Sequence, residues 1–369
     1  MINRFQVTGF RNLEDQTLQF SSPFTIVFGN NGSGKTSFLE SIYTALNGKS
    51  FRSGKTKNII SNNSNKDSFI VRAELEFSDR SHQVALRKSL NDKYVAKVDG
   101  DFVQSISELA SIYPTQSVEP RSFNVFDGGA SSRRRLYDWM MFHVEHSFND
   151  LIKVYQSCLK QRNALLRKGV MNPSQLGPWD RQLSHYGSQI NNLRFDIFKD
   201  YQKYFESAIS ELLSPEIVEH ITITLKSGWD SNQDLSNVLA ESLESDIKKR
   251  TTQFGPHRAD LKINYSGLPI QEGLSRGQQK LVVLAIHLAN LRIVREQSSS
   301  SSLLLLDDLA AELDEPNLER LLGLLYESGT SVIATTLDTM LYSRVLERCN
   351  LLDKTGMFHV EHGKISDYK

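Results

Sequence analysis

Residues 29–36 have side-chain types and a spacing that could bind phosphate groups. They read Gly-Asn-Asn-Gly-Ser-Gly-Lys-Thr and match the pattern G-x-x-x-x-G-K-[ST] at every fixed position. In such a loop the glycines let backbone N–H groups turn towards phosphates, the lysine reaches the β- and γ-phosphates, and the threonine hydroxyl binds Mg²⁺. We therefore predict a nucleoside triphosphate site. Its predicted ligands are Gly29, Asn30, Asn31, Gly32, Ser33, Gly34, Lys35, Thr36 and Ser37.

Two further candidate residues end a run of four leucines. Leu303–Leu306 is followed directly by Asp307 and Asp308. Adjacent carboxylates at the end of a buried strand are unfavourable unless they serve a cation or a water molecule. We therefore predict that Asp307 binds Mg²⁺ together with Thr36, and that Asp308 orients or activates the attacking water. The alternative is an ordinary turn at the end of the strand.

Apolar patterns around the glycine loop predict the elements that hold it. Phe24–Phe28 is typical of a short buried strand, and residues 37–46 carry apolar side chains at helical spacing. Residues 3–28 as a whole predict two strands around a turn at 11–15 and then this third strand. Residues 68–103 alternate like several antiparallel strands. Strand, loop and helix thus follow one another in the order that a phosphate-binding loop requires.

The middle of the chain changes to helical periodicity. Residues 131–166 predict one long helical stretch, residues 173–178 a break, and residues 183–212 a second helix. The pair predicts an αα-hairpin with arms of roughly 30 to 50 Å at 1.5 Å per residue. The later predicted elements are a strand at 217–225, a helix at 235–250, a strand pair at 251–266 and a flexible serine loop at 298–302.

Composition restricts the kinds of partner. The chain has 369 residues with 43 Lys and Arg against 43 Asp and Glu, so it has no net charge. This excludes a uniformly basic surface, and any nucleic-acid contact needs a local basic patch. Cys158 and Cys349 are too few for a disulfide framework or a metal site. No stretch approaches the roughly 20 apolar residues that span a membrane, and we expect a cytoplasmic protein without membrane contact.

One hexapeptide, Met-Phe-His-Val-Glu-His, occurs twice, at residues 141–146 and 357–362. Its two histidines at H-x-x-H spacing could in principle bind a metal. No carboxylate-bearing motif of a known metal site surrounds either copy, so we favour a surface or packing role for both. No sequence feature explains the repetition.

Residues 274–280, Leu-Ser-Arg-Gly-Gln-Gln-Lys, predict a helix start, because Ser275 and Gln278 have the spacing of a capping box. Lying between the glycine loop and the paired acids, the segment also resembles the signature of ABC-type ATPases. The resemblance implies an ATP-dependent head-to-tail homodimer, in which the signature contacts ATP held by the other copy. By the same resemblance Gln116 is the Q-loop glutamine near Mg²⁺ and water, and Asp314 belongs to the D-loop. The implied signature residues are Ser275, Arg276, Gly277 and Gln278.

The chain resembles the RecF family from end to end. The resemblance implies a DNA repair ATPase related to the heads of SMC proteins, which binds ATP and acts at gapped DNA with RecO and RecR to load RecA. It also places Arg11 among the nucleotide-binding residues. The segments that carry it are residues 10–13, 50–53, 133–139, 160–163, 255–260, 274–280 and 363–365.

The implied fold is α/β. It comprises an ABC-type ATPase head, with a mixed α/β core and an antiparallel β subdomain, and an inserted, mainly helical lobe with a short αα-hairpin. We predict the first part of the head at 1–130, the helical lobe at 131–250 and the second part of the head at 251–369.

Two departures from the wider ABC pattern predict slow ATP hydrolysis, and we separately expect DNA to stimulate it. Asp308 stands where that pattern has a glutamate, which is one methylene longer. Thr335 and Thr336 stand where a switch histidine is expected. We therefore predict a clamp that ATP closes on duplex DNA near a single-strand junction and that hydrolysis releases. The alternatives are an SMC- or ABC-type ATPase that does not act on DNA gaps, a transporter ATPase, and an SMC-like ATPase fused to a nuclease.

Local basic segments are the candidate DNA contacts. The polar segment 49–65 predicts a surface loop, whose usual explanation is a solvated turn, although its four positive charges also fit a DNA-contacting edge. Three arginines open the predicted helix at residue 133. Cations at a helix N-terminus oppose its dipole, which favours a functional cause over a merely solvated helix start. We expect phosphate contacts and therefore sequence-independent, salt-dependent binding. The candidates are Arg52, Lys55, Lys57, Arg133, Arg134 and Arg135.

Overall fold

The computed structural model describes residues 1–61, 66–77, 80–91, 94–169, 173–298 and 301–368. Parts of the predicted loops at 49–65 and 298–302, namely residues 62–65 and 299–300, lie outside the described residues. The strands are β1 (Ile2–Thr8), β2 (Gln16–Gln19), β3 (Phe24–Phe28), β4 (Ser68–Phe77), β5 (Arg80–Ser89), β6 (Val95–Val98), β7 (Asp101–Phe102), β8 (Thr115–Val118), β9 (Ile221–Lys226), β10 (Asp260–Tyr265), β11 (Leu268–Pro269), β12 (Leu303–Leu306), β13 (Ser331–Thr336), β14 (Thr355–Glu361) and β15 (Lys364–Asp367). The α-helices are α1 (Lys35–Asn47), α2 (Ile106–Ile112), α3 (Gly129–Val144), α4 (Phe148–Lys168), α5 (Gly177–Leu212), α6 (Pro215–Val218), α7 (Leu235–Glu241), α8 (Leu243–Lys249), α9 (Ile270–Gly273), α10 (Arg276–Ser298), α11 (Glu315–Glu327) and α12 (Thr339–Arg348).

The chain forms two compact units. The first contains residues 1–123 and 294–369, and the second contains residues 124–293. These boundaries differ from the predicted ones, because residues 251–293 belong to the second unit and not to the ATPase head. The physical reason is strand pairing, since β10 is hydrogen-bonded along its whole length to β9.

Two six-stranded sheets build the first unit. One is antiparallel, with the order β2-β1-β4-β5-β6-β7. The other has the order β15-β14-β3-β13-β12-β8, and in it β14, β3, β13, β12 and β8 run parallel, while β15 is an antiparallel edge. The predicted combination of a mixed α/β core with an antiparallel sheet is confirmed.

Helix α1 packs between these two sheets. The Phe38 ring makes an edge-to-face contact with Phe5 of β1 and stacks on Phe20, which in turn contacts Phe358 of β14. One hydrophobic cluster joins side chains of α1 with residues of both sheets. A helix that is covered on all sides has a fixed position. The loop that precedes α1 is therefore anchored to a helix buried in the hydrophobic core of the unit.

The second unit is mainly helical and carries the three-stranded antiparallel sheet β11-β10-β9. Helices α4 and α5, of 21 and 36 residues, form the predicted αα-hairpin, about 31 and 54 Å long at 1.5 Å per residue. Arg162 of α4 bonds to Asp180 of α5 at 2.6 Å, and Cys158 bonds to Gln182 at 2.9 Å. The residue numbers fall on one arm as they rise on the other, so the arms are antiparallel.

Several predicted elements of this unit were wrong in extent. The predicted stretch 131–166 is two helices, α3 and α4, with a break at residues 145–147, and α3 begins at Gly129. Arg133 therefore lies in the second turn of α3, where the helix-dipole argument no longer applies. The other differences are that residues 235–250 form two helices, that residues 251–266 contain the single strand β10, and that the strand predicted at 217–225 begins only at Ile221. No helix among the described residues is long and apolar enough to cross a membrane.

Candidate nucleotide site

Two glycines give the loop between β3 and α1 its shape. Gly34 has φ 123°, a conformation that residues with side chains rarely adopt. A Cβ atom on Gly29 would collide with the backbone carbonyl oxygen of Val360 in β14. This carbonyl lies close to Gly29 because β14 pairs in parallel with β3, the strand that leads into the loop. The loop thus requires glycine at position 34 for its backbone conformation and at position 29 because a side chain would not fit.

Lys35 begins α1 and turns its ammonium group back over the loop. Its Nζ donates to the carbonyl oxygens of Gly29 at 2.7 Å and Asn30 at 3.1 Å. Burial lowers the pKa of Lys35, while the carboxylates of Asp308 and Asp307 act in the opposite direction. The loop and the end of β12 therefore share one electrostatic environment.

The carboxylate of Asp307 lies at the meeting point of three strands. Its Oδ1 accepts hydrogen bonds from the hydroxyls of Thr36 and Thr335, both at 2.9 Å. Strand β13 lies between β3 and β12, and the carboxyl ends of parallel strands meet at one edge of the sheet. The predicted proximity of Thr36 and Asp307 is observed, although they are 271 positions apart.

Thr335 is a site residue that the sequence interpretation missed. By sequence it is only the residue that replaces the expected switch histidine. Its hydroxyl donates to Asp307 and accepts the backbone N–H of Asp308 at 2.9 Å. Its side chain is completely buried at the end of β13. A hydroxyl at the carboxyl end of the neighbouring parallel strand was the signal that could have revealed it.

Asp308 follows Asp307 in a left-handed backbone conformation, with φ 52°. Burial raises the pKa of its carboxyl group, and Asp307 and Glu312 raise it further, whereas Lys35 lowers it. An acid whose pKa is raised in a cavity is suited to accept a proton.

Residues of the glycine loop and the two acids Asp307 and Asp308 line one open cavity of about 340 Å³. This size falls within the range of small-molecule sites. The cavity lining also includes Asn12 and Arg52, which were not among the predicted nucleotide ligands. The Asn12 side-chain oxygen accepts a hydrogen bond from the Ser37 hydroxyl at 2.8 Å. The lining residues are Asn12, Asn31, Gly32, Gly34, Lys35, Thr36, Ser37, Arg52, Asp307 and Asp308.

Two arginines near the cavity share Glu40, a fully buried carboxylate of α1. Arg11 binds it through two hydrogen bonds, at 2.9 and 2.7 Å. Arg52 lies 3.6 Å from it, with 41% of its side chain exposed. Arg52 was predicted as a DNA contact, yet it lies at the cavity wall. Arg11, predicted to bind nucleotide, is not among the residues that line this cavity, and its guanidinium group binds Glu40 instead.

Gln116 is not brought to the cavity. It lies in β8 and is only 5% exposed. The residue opposite it in β12 is Leu304, which lies three residues before Asp307. Three residues of a strand span about 10 Å. The residue nearer the site is Glu119, whose neighbour Val118 accepts the backbone N–H of Asp307 at 2.9 Å. Burial raises the pKa of Glu119, and the Asp307 charge raises it further.

The predicted signature segment starts α10 in the second unit. The capping box is present, because the Gln278 backbone N–H donates to the Ser275 hydroxyl at 3.3 Å and the Ser275 N–H donates to the Gln278 side chain at 2.9 Å. Ser275, Arg276 and Gly277 are exposed. Arg276 forms an ion pair with Asp127 at 3.1 Å. Beyond the adjacent backbone of α10, no atom of the described residues would lie within 4 Å of a Cβ on Gly277.

Asp314, the predicted D-loop residue, belongs to the first unit and caps α11. Its carboxylate accepts the backbone N–H of Asn317 at 3.0 Å. Asp314 therefore has a local structural role as the N-cap of this helix.

The candidate DNA contacts differ in their exposure and in whether they already bind groups of the protein. Lys55 and Lys57 are exposed. Arg133 makes two hydrogen bonds of 2.9 Å to Asp260, and Arg134 donates to the carbonyl oxygen of Ala259 at 2.6 Å. Burial lowers the pKa of Arg134. Arg133 and Arg134 are therefore committed to contacts within the second unit.

Comparison with known proteins decides the family. Residues 1–365 match the model of the RecF/RecN/SMC N terminal domain. The DNA replication and repair protein RecF of Teredinibacter turnerae is 34% identical over 99% of this chain and 96% of its own length. The corresponding RecF of Pseudomonas aeruginosa is 36% identical over 99% of this chain and 97% of its own length. The chain belongs to the RecF family.

Solved structures agree with the RecF assignment. The recombination mediator protein RecF of the RecFOR pathway, described as RecF-ATPrS, has a TM-score of 0.85 at 25% identity, covering 100% of this chain and 98% of the other. RecF-ATP of the same pathway gives 0.83 at 25% identity, covering 100% and 99%. An Smc head bound to a ScpA domain gives 0.58 at 16% identity, covering 100% and 97%, which shows a shared fold. The RecF-family chain thus has the ATPase-head fold that its sequence predicted.

Proposed function

We propose that this RecF-family chain is a DNA repair ATPase that binds duplex DNA beside single-stranded gaps when ATP is bound. The observation that carries the proposal is the arrangement of Lys35, Thr36, Asp307 and Asp308 around one cavity. Its RecF relatives are named DNA replication and repair proteins, and solved RecF structures are described with ATP.

The cavity residues fit ATP and Mg²⁺. Residues 29–37 would surround the phosphates with backbone N–H groups and the N-terminus of α1, and Lys35 would neutralise the β- and γ-phosphates. The donor set of Thr36 and Asp307, a hydroxyl and a carboxylate, suits Mg²⁺, which prefers oxygen ligands. When bound, Mg²⁺ neutralises phosphate charge during hydrolysis. Arg52 would contribute a further positive charge from the cavity wall.

Asp308 is the proposed base for the attacking water. Its raised pKa and half-buried position support this role. Aspartate reaches less far than glutamate, and general-base catalysis depends on hydrogen-bond distance to the water. We therefore propose weak hydrolysis. Gln116 is less suited to sense the water than Glu119, because the residue opposite it, Leu304, lies three strand residues before Asp307.

A head-to-tail homodimer is the proposed ATP-bound state. Ser275 and Gly277 are exposed at the N-terminus of α10, where backbone N–H groups favour an anion. We propose that this end of α10 contacts the γ-phosphate held by the other copy. Gln278 takes part indirectly, since its side chain fixes the helix start. Asp314 would lie at the same interface.

DNA contact is proposed for the exposed lysines of residues 49–58. Lys55 and Lys57 are exposed and form no ion pair with a described residue, and they follow Arg52 at the cavity wall. A segment that carries both a phosphate-facing arginine and DNA-facing lysines would couple DNA binding to hydrolysis. We therefore propose DNA-stimulated hydrolysis. Arg135 remains a candidate, while Arg133 and Arg134 would contribute only if their contacts with Asp260 and Ala259 were broken.

The proposed protein partner is RecR, which acts together with RecO. Their joint role would be to load RecA on single-stranded gaps. The support is family membership and the RecFOR pathway in which the solved RecF structures are placed. Such a role requires the compartment that holds the bacterial chromosome, the cytoplasm. An SMC- or ABC-type ATPase that does not act on gaps is the alternative.

Fluorescence anisotropy of a labelled gapped duplex tests the proposal. We expect binding to tighten with ATP and Mg²⁺, and a Lys35→Met variant to lose this response. A fully paired duplex and a single strand of the same sequence serve as controls. Equal affinity with and without ATP, or equal affinity for all three DNAs, would contradict the gap-directed clamp and favour the alternative.

A further inference from the structure

The antiparallel sheet of the first unit has one face in the hydrophobic core and one face towards solvent. Side chains alternate between these two faces along each strand. Val71 of β4 and Leu86 of β5 belong to the hydrophobic cluster, whereas Arg72 and Arg87, which follow them, are exposed. We use the term outer face for the solvent side of β4–β7. The residues of the outer face that carry the inference are Arg72, Ala85, Arg87, Val95, Lys97 and Phe102.

Strand pairing brings three cations of the outer face together. Arg72 lies opposite Ala85, and Ala85 lies opposite Lys97. Arg87 follows Ala85 by two positions, so it is the diagonal neighbour of both Arg72 and Lys97. Diagonal neighbours in an antiparallel sheet are about 7–8 Å apart. The three positive charges therefore form one compact group.

This group of cations lacks partners of opposite charge. Within the described part of the chain, no carboxylate forms an ion pair with Arg72, Arg87 or Lys97. The two acids on the same side of β4 bind residues of β1 instead, namely Glu74 with Arg4 and Glu76 with Asn3. The chain as a whole has no net charge, so this local excess of positive charge is a distinct feature. Like charges gathered on one surface repel each other and favour a polyanionic ligand.

An exposed aromatic ring lies beside the cations. Phe102 of the edge strand β7 lies opposite Lys97, and 68% of it is exposed. The Lys97 ammonium group lies 4.4 Å from the ring centroid, a cation–π contact that holds one side of the ring. Ala85 and the exposed Val95 add apolar surface next to the cations. Three strand spacings separate Phe102 from Arg72, so the row is about 14 Å long.

We propose that the outer face binds single-stranded DNA, with phosphates on Arg72, Arg87 and Lys97 and an unstacked base on the Phe102 ring. The inference rests on the proposed DNA repair function, to which it adds a site for the single strand of the gap. Cations beside an exposed aromatic ring on a sheet are the chemistry of single-strand platforms, because every base has a face that stacks. A duplex has no free base, and an acidic peptide would use the cations but not the ring. Binding at the outer face is independent of sequence and of ATP.

Charge reversal of the two arginines tests the phosphate contacts. Arg72→Glu combined with Arg87→Glu should lower the affinity for a labelled oligothymidylate at least about tenfold, measured by anisotropy without ATP. The slope of log affinity against log salt should become shallower by about 1.4, because each phosphate contact to a single strand contributes about 0.7. The control, Lys226→Glu combined with Lys262→Glu, changes the charge equally at exposed residues of β9 and β10 and should keep the wild-type slope. Equal slopes in the two double variants, or a wild-type chain that does not bind oligothymidylate, would overturn the inference.

Two substitutions at position 102 separate base stacking from charge. Phe102→Leu keeps an apolar side chain but removes the ring, and it should weaken oligothymidylate binding about fivefold or more. Phe102→Trp keeps a ring and should bind at least as tightly as wild type. Polyglutamate carries negative charges without bases, so it should not distinguish the two variants. Equal oligothymidylate affinity in Phe102→Leu and Phe102→Trp would overturn the inference and favour an acidic protein segment as the occupant.

Fluorescence of the Phe102→Trp variant reports on stacking directly. Oligothymidylate should quench the signal of the introduced indole, with the wild-type chain and its three tryptophans as the background. A fully paired duplex should not quench it, because its bases are already stacked on each other. Equal quenching by the two DNAs would overturn the inference.

These results are separable from those that test the proposed function. If gapped duplex binds only with ATP but the double arginine variant binds oligothymidylate like wild type, the outer-face site is refuted and the ATP-dependent clamp stands. If ATP has no effect on gapped duplex but the double arginine variant loses single-strand binding, the clamp is refuted and the outer-face site stands.

Discussion

The hydroxyl of Thr335 lies 2.9 Å from Oδ1 of Asp307. Because the same hydroxyl accepts the backbone N–H of Asp308, one side chain of β13 holds both acids that follow β12. This linkage fixes the direction of the carboxylate that also binds the Thr36 hydroxyl. The site is therefore supported by the strand between the phosphate loop and the paired acids.

Replacing Thr335 with valine should weaken Mg²⁺-dependent hydrolysis. The substitution keeps the shape of the side chain but leaves Asp307 with one donor fewer and the Asp308 N–H without its acceptor. Loss of such supporting contacts typically costs 10- to 100-fold in metal affinity or activity, and we expect an effect of about this size. ATP hydrolysis measured across a Mg²⁺ titration checks the prediction. Thr335→Ser, which keeps the hydroxyl, should stay near wild type. Equal losses in both variants would contradict the hydrogen-bond explanation.

Substituting Gly277 should disrupt association between copies without harming the single chain. A Cβ at this exposed position would meet no atom of the described residues within 4 Å beyond the adjacent helix backbone, so Gly277→Asp should fold normally. Its negative charge at the start of α10 would repel the phosphate of the other copy, and ATP-dependent dimerisation should weaken at least about tenfold. Light scattering with ATP, in an Asp308→Asn background, measures the effect. Gly323→Asp, in α11 and also with open space around the glycine, is the control. Normal dimerisation of Gly277→Asp would exclude the trans contact.

Reversing the charges of Lys55 and Lys57 should reduce DNA affinity and its salt dependence. Two lost phosphate contacts should lower the slope of log affinity against log salt by about 2, because each contact to duplex DNA contributes about 0.9. Anisotropy titrations at several salt concentrations provide the slope. The double substitution Lys248→Glu and Lys249→Glu, at exposed residues of α8, changes the net charge equally and should have little effect. Similar slopes for the two double variants would contradict a specific DNA surface.

Arg133 should matter more for stability than for DNA binding. It forms two hydrogen bonds with Asp260, and the two side chains are only 15% and 11% exposed. Removing one partner of a buried ion pair costs roughly 3–5 kcal/mol, and we expect Arg133→Ala to lower the free energy of unfolding by about this amount. Urea unfolding measures the change, with Arg135→Ala as the control. A stable Arg133→Ala protein with reduced DNA affinity would restore the original DNA assignment.

Acid should destabilise the second unit through buried histidines. Burial lowers the pKa of His143 from 6.5 to about 3 and that of His287 to about 4. The unfolded chain therefore binds these protons as pH falls below about 6.5, whereas the folded chain does not. Stability should fall between pH 6.5 and 4, by up to about 1.4 kcal/mol per pH unit for each histidine.

Denaturant unfolding at several pH values checks this prediction. Replacing His143 and His287 together with glutamine should flatten the pH dependence. Replacing the exposed His185 with glutamine should leave it unchanged. An unaltered slope in the double variant would assign the acid sensitivity to other groups.

The chemistry of the nucleotide site was largely predictable from sequence, because its motifs are local. Residues 29–36 and the pair Asp307 and Asp308 combine fixed spacing with characteristic residue types. Their partners were not predictable in the same way. Thr335 acts because β13 separates β3 from β12. Gln116 lies away from the cavity because of the register of β8 against β12. Strand order and register depend on pairing between distant segments, which no local pattern specifies.

The repeated hexapeptide also shows that local sequence alone does not determine secondary structure. The copy at 141–146 ends helix α3, whereas the copy at 357–362 contributes its first five residues to β14. In β14 the backbone pairs with β3, and Phe358 and Val360 alternate into the core. Sequence by itself determined the phosphate loop, the paired acids and the family. Tertiary structure decided what identical residues became, because burial and strand pairing outweigh the weak local propensities of six residues.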